Sequence, residues 1–265
     1  AKGWQYLRYL LQYLWQGLLL VLIGIPYGIG LLFRRKEGKK PKTYKFYLKW
    51  AGIAIGSVVA MVSLLVALVY FGVFGKLPTK QELKELKQAE ASLIYDDSGE
   101  FVGKFYIFDR TKIDYTDFPP YLVNALIATE DERFYEHSGI DTRSLLRVFF
   151  KTLLLQDDAS GGGSTLTMQL AKNIFGRADR YGKLTMPVHK IKEMIIAHRI
   201  ESVYSKEEII TLYLNTVPFS DNTYGIEAAS YRFFSKPAKA LTLNEAATLI
   251  GTLKANNSYN PRTAP

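Results

Sequence analysis

Apolar and polar positions divide this chain into three regimes. From Trp50 to Gly75 no charged residue interrupts a run that reads AGIAIGSVVAMVSLLVALVYFGVFG after the tryptophan. A run of that length can cross a hydrocarbon core of ~30 Å at about 1.5 Å per residue. Trp50, Tyr70 and Phe71 stand where interfacial aromatics belong. Residues 4–33 are apolar as well, but Gly24, Pro26, Gly28 and Gly30 break the stretch from Leu18 to Phe33, and Gln5, Arg8, Gln12 and Gln16 dilute its start. Two readings stay open for it: a first span that forms a hairpin with the second, slightly favoured, or an interfacial amphipathic helix.

After Gly75 the pattern shortens and mixes with charge. Gln81 to Ala89 has helical spacing. Leu93–Tyr95, the turn Asp96-Asp97-Ser98-Gly99, and Phe101–Phe108 predict a β-hairpin. From Pro119 onward the period is helical, predicting helices near 120–130, 141–155, 164–174, 187–204, 206–214, 224–234 and 242–254. The polar, Gly-rich stretch 156–163 reads as a loop. The predicted class is therefore mainly α, with one small hairpin near 93–108. The helix at 141–155 is apolar on more than one face, either as a core helix or as one that dips into a bilayer surface.

Charge sharpens the topology. The net charge of +9 is uneven: residues 1–33 carry +2, residues 34–49 carry +7, and the remainder is neutral. The excess flanks the apolar run and does not cover the globular part, which argues against nucleic acid as a partner. By the positive-inside rule residues 34–49 are cytoplasmic and residues 76–265 lie on the other face of the membrane. The chain has no cysteine, so disulfides and thiolate metal sites are excluded.

Three constellations carry candidate chemistry. The run Glu130-Asp131-Glu132-Arg133-Phe134-Tyr135-Glu136-His137-Ser138-Gly139 ends an apolar helix. A carboxylate there can serve as a general acid or base, or belong to a solvated helix end. Next, Ser164, Thr165, Gln169 and Lys172 follow three glycines. Ser164 is the expected N-cap, with backbone N–H groups open to an anion. Thr165, Gln169 and Lys172 fall on one helical face as hydroxyl, amide and ammonium in a row. This suits a phosphate-sugar ligand, although a capped amphipathic helix reads the same way. Lys190 and Glu193, at i and i+3, share a face as a surface ion pair or as a carboxylate held beside a phosphate-binding cation. His137, His189 and His198 lack metal-ligand spacing, and no residue is assigned to a metal.

Together these motifs resemble the peptidoglycan glycosyltransferase domain of family 51, found in class A penicillin-binding proteins and monofunctional transglycosylases. The family pattern E-D-x-x-F-x-x-H-x-G is matched by Glu130, Asp131, Phe134, His137 and Gly139. Gly162 to Thr167 and Gln169 match G-G-S-T-x-T-Q-Q, with Met168 for the first Gln. Lys190 and Glu193 match R-K-x-x-E, with His189 for Arg, and Lys206 to Asn215 resembles the fourth motif.

The resemblance implies a lysozyme-like domain with a membrane-associated lobe, which polymerises lipid II into β-1,4-linked glycan strands and releases undecaprenyl pyrophosphate. Glu130 is then the base on the acceptor hydroxyl, and Glu193 the second carboxylate, acting directly or through Mg2+ or Mn2+. Arg147, Ser164, Thr165, Gln169, Lys172, Lys190 and Lys183 or Arg180 are expected to bind substrate, while Asp131, Phe134, His137 and Gly139 are expected to be structural. The implied partners are lipid II, the growing strand, the bilayer and other cell-wall synthesis proteins. The implied location is the bacterial inner membrane, with the catalytic domain outside the cytoplasm.

The expected divisions are 1–33 (first apolar segment), 34–49 (cytoplasmic loop), 50–75 (transmembrane helix), 76–118 (linker with hairpin) and 119–265 (catalytic domain). No Ser-x-x-Lys occurs, so no penicillin-reactive nucleophile is expected on this chain. The chain reads as an N-terminal fragment of a class A protein. Rival readings are a lytic enzyme that cleaves peptidoglycan and a non-enzymatic membrane scaffold.

Overall fold

The structure is a computed structural model, and it describes residues 44–85, 92–95, 101–105, 109–110, 113–155, 162–219 and 223–254. The expected first apolar segment, most of the basic loop, the hairpin turn, the strand continuation at 106–108 and most of the Gly-rich loop lie outside these residues. The chain divides into two compact units, Ala1–Gly75 and Lys76–Pro265.

The described part of the first unit is one helix, α1 (Tyr44–Tyr70), followed by a turn over 71–75. Within it Phe46–Tyr70 has a mean hydropathy of 2.6 and is long and apolar enough to cross a membrane. Leu48, Trp50, Ile55 and Val59 are all exposed, an arrangement that water penalises and a bilayer does not. The hydroxyl of Ser57 donates to the carbonyl of Ala54 at 2.8 Å, satisfying a polar group within the helix itself.

The second unit is mainly helical. Its helices are α2 (Lys80–Lys84), α3 (Pro120–Glu130), α4 (Thr142–Leu155), α5 (Leu166–Phe175), α6 (Thr185–Glu201), α7 (Lys206–Thr216), α8 (Ile226–Phe234) and α9 (Leu243–Thr252). All seven helices expected after residue 119 are present, displaced by a few residues at their ends. The apolar stripe of α5 (Leu166, Leu170, Ala171) meets Ile196 and Ile200 of α6 and Ile209, Ile210, Tyr213 and Leu214 of α7 in one core. On the other side α9 packs on α3. Burying each Leu or Ile contributes about 1.5–3 kcal/mol, so α5 is fixed from two directions.

Local chemistry sets the helix starts. Pro120 occupies the first turn of α3, where no N–H is needed. Ser205 with Glu208, and Thr242 with Glu245, form reciprocal capping boxes on α7 and α9.

Residues 76–85 and 113–118 pack into this unit. Leu77, Leu83 and Phe118 join the core. The hydroxyl of Tyr204 donates to the Leu83 carbonyl at 2.6 Å, and Arg199 donates to the Pro78 carbonyl at 2.7 Å. The expected hairpin is present: β1 (Ser92–Tyr95) pairs antiparallel with β2 (Phe101–Phe105), with a bulge at Ile94/Tyr95. A second pairing was not expected. β3 (Asp109–Arg110) runs parallel to β4 (Thr223–Tyr224), so the strand displaces the predicted start of helix 224–234. Gly225 makes the corner at φ 82°, and a Cβ there would lie 2.8 Å from the Asn215 carbonyl oxygen.

Candidate active site

Glu130 is the last residue of α3, half-buried, and the chain leaves the helix at Asp131 into a run of turns over 132–136. The Gln169 side-chain amide donates to Glu130 Oε2 at 2.9 Å. The Tyr213 hydroxyl donates to Gln169 Oε1 at 3.0 Å. A phenol can donate only to the carbonyl end of the amide, so this bond turns the NH2 of Gln169 towards Glu130. Tyr213 is 1% exposed. Burial raises its pKa well above the usual tyrosine range, and the nearby Glu130 charge adds to this, keeping the phenol a proton donor. Three helices therefore converge on one carboxylate.

The rest of the acidic run has structural contacts. Asp131, buried, accepts from the Leu166 N–H at 2.9 Å and faces His137 Nε2 at 3.1 Å. The Gly139 N–H donates to His137 Nδ1 at 3.2 Å, so Nδ1 accepts and Nε2 donates to Asp131. Gly139 has φ 91°, and a Cβ would stand 2.8 Å from the Ala197 carbonyl carbon, so its turn lies directly on the α6 backbone. Phe134 is fully buried, with Lys206 Nζ 4.2 Å above its ring. Lys206 also donates to the His137 carbonyl at 2.7 Å and pairs with Glu201.

Two expectations about the start of α5 are corrected. The N-cap is Thr165, whose hydroxyl accepts from Met168 N at 3.2 Å and donates to the Gly139 carbonyl at 2.7 Å. Thr165 is 2% exposed and so leaves the expected ligand-facing row. Nor are the Leu166 and Met168 N–H groups open to an anion, because Asp131 and the Thr165 hydroxyl already accept from them. Ser164, released from capping, accepts from Lys190 Nζ at 2.7 Å.

That lysine opens a second centre. Glu193, 4% exposed, pairs with Lys190 at 3.0 Å. Arg177, just past the end of α5, places Nε and Nη2 on Glu193 Oε1, each at 2.6 Å. Sequence reasoning missed Arg177 while naming its neighbours Arg180 and Lys183. Its only sequence signal was membership of the basic segment between two candidate helices. Lys172 is exposed on α5, Arg180 is exposed, and Lys183 lies in the 3-10 turn Gly182–Leu184. His189, at the position where the resembling motif carries Arg, is buried, with Nε2 2.9 Å from the Asp179 carbonyl.

Arg147, on α4, donates to Ser144 Oγ at 3.2 Å. Arg133 also donates to that hydroxyl and holds Asp141 at 2.6 Å. Burial raises the Asp141 pKa, but the hydrogen bonds from Arg133 and Ser144 and the Arg133 charge outweigh it, bringing it down to about 2.

One half-buried carboxylate is thus oriented by an amide, and a second, buried one is flanked by two cations. Residues 98–265 match the family model described as Transglycosylase, and the chain belongs to that family. Among similar proteins, penicillin-binding protein 1F of Bacillus subtilis is 40% identical over 182 residues, covering 69% of this chain and 25% of the relative. Penicillin-binding protein 1A of Escherichia coli is 39% identical over 186 residues, covering 70% of this chain and 21% of the relative. Penicillin-binding protein 1A of Aquifex aeolicus is 35% identical over 211 residues, covering 79% and 28%. The chain thus spans about a quarter of the length of these relatives.

Proposed function

We propose that this chain is a peptidoglycan glycosyltransferase that polymerises lipid II at a membrane surface. The observation that carries the reading is the Tyr213–Gln169–Glu130 chain of hydrogen bonds, which holds a carboxylate in one orientation at a helix end. Gln169 donates to Oε2 and so fixes the plane of the carboxylate. Glu130 removes the proton from the acceptor sugar's 4-hydroxyl as its oxygen bonds to the donor's anomeric carbon. The bond from that carbon to the diphosphate oxygen breaks, and the electron pair leaves with undecaprenyl pyrophosphate. One displacement converts the α-linked donor into a β-1,4 linkage, so one base is enough. Lys190, with Ser164 on its ammonium, and Glu193 lie on the leaving-group side, where fixed charge stabilises the departing diphosphate.

Lys172, Lys183 and Arg147 line the approach for the charged parts of the substrates. Asp131, Phe134, His137 and Gly139 support Glu130. In this reading α1 crosses the inner membrane with residues 34–49 on the cytoplasmic side, which holds the second unit among lipid-tailed substrates and raises their effective concentration. Other cell-wall synthesis proteins are the expected neighbours.

Sizing the products of purified chain and lipid II tests the reading. Strand growth supports it, whereas shortening of preformed glycan without growth replaces it with the lytic alternative.

A further inference from the structure

The donor side contains a cation that the family motifs did not name. We propose that Arg177 is a diphosphate-binding residue of this chain and supplies, as a fixed guanidinium, the charge that a divalent ion at Glu193 would otherwise supply. The inference rests on the glycosyltransferase reading only for what the diphosphate is attached to.

Both oxygens of Glu193 are engaged. Oε1 accepts from two nitrogens of Arg177 at 2.6 Å, and Oε2 faces Lys190 Nζ at 3.0 Å. Mg2+ or Mn2+ needs carboxylate or other oxygen donors. Here an incoming ion would have to displace one of two cations and remain beside the other. Among the described residues no group of three or more acidic or histidine side chains could hold it instead. The residues present do not fit a divalent ion on Glu193.

They do fit an anion. The Glu193 side chain is 6% exposed, while those of Arg177 and Lys190 are 29% and 36% exposed. The carboxylate therefore sits behind the two cations, fixes their positions and leaves the group with a net positive charge. Among the described residues, Arg177 Nη1 faces only the Met186 sulfur, at 4.0 Å. A thioether is a weak acceptor, so that nitrogen retains donor capacity that a phosphate oxygen would use.

Arg177 is also held in place. The loop after α5 is tied to α6 by the buried His189 at the Asp179 carbonyl (2.9 Å) and by Lys192 at the Asp179 carboxylate (3.3 Å). The Tyr181 N–H donates to Thr185 Oγ1 at 2.8 Å. His189 thus anchors the loop that delivers a guanidinium, and Arg177 provides that group from outside the motif.

The test is titration of the full chain in detergent with inorganic pyrophosphate in EDTA, followed by calorimetry, alongside lipid II polymerisation in EDTA. Wild type should bind pyrophosphate without metal. Arg177→Gln should weaken binding about tenfold or more, as expected for loss of charge-assisted bonds. Unchanged binding in Arg177→Gln, or wild-type binding only with added Mn2+, overturns the assignment. Should Arg177→Gln unfold, Arg177→Lys decides: it keeps the charge and loses the fork, and wild-type affinity in that variant overturns the assignment. Arg177-dependent pyrophosphate binding with no lipid II polymerisation either in EDTA or with added Mn2+ leaves the anion site standing and removes the glycosyltransferase reading. Polymerisation that requires Mn2+ does the reverse.

Discussion

Gln169 is the residue on which the orientation of Glu130 depends, and Tyr213 determines which way Gln169 faces. Tyr213→Phe removes the proton that pins the amide, leaving it able to rotate its carbonyl towards the carboxylate. The expected result is a kcat lowered several-fold to about tenfold with KM nearly unchanged, and a stability loss of about 1 kcal/mol. Steady-state kinetics on lipid II checks this, and an unchanged kcat contradicts it. Part of this level was legible in the sequence. Glu130, Asp131 and His137 stood out because acids, an aromatic and a glycine crowd one helix end. Ser164 and Thr165 could not be told apart as caps, since adjacent hydroxyls cap equally well and only the phase of α5 against Gly139 decides. Arg177 was one basic residue among several, and its contact with Glu193 exists only once α5 and α6 are side by side.

At the scale of elements, α4 depends on one side chain. Asp141 Oδ1 accepts from the Arg143 and Ser144 N–H groups at 3.0 and 3.1 Å and caps the first turn, while Oδ2 holds Arg133. Its folded pKa is depressed to about 2, so the ionised carboxylate stabilises the fold above the unfolded value of about 4. That contribution is lost as pH falls from about 4 to about 2. Urea unfolding should show wild type losing stability relative to Asp141→Asn across this window, and parallel curves would contradict the assignment. The helices themselves were legible because each buries one stripe at helical spacing, and Ser205 and Thr242 mark the starts of α7 and α9. The β3–β4 pair was not legible. It consists of two residues on each side, separated along the chain by helices α3 to α7, with no alternation for sequence reading to detect. Asn215, which holds the Ile113 backbone with both ends of its amide, makes that distant contact possible.

At the scale of the molecule, the division into an apolar N-terminal unit and a helical unit follows from the hydropathy step at Gly75, and the structure divides the chain there. Residues 76–118 look like a linker in sequence because their apolar positions are sparse. Their parts at 76–85 and 113–118 join the core through a few large side chains and two hydrogen bonds to backbone carbonyls from the end of α6 and just beyond it. The family match over residues 98–265 begins within this segment. The central claim is that this unit transfers glycan with Glu130 as its base. The most direct measurement is the lipid II polymerisation rate of Glu130→Gln against wild type, with lipid II binding measured on the same preparations. The account predicts a rate loss of about a hundredfold or more with binding retained, whereas polymerisation by Glu130→Gln at the wild-type rate would contradict it.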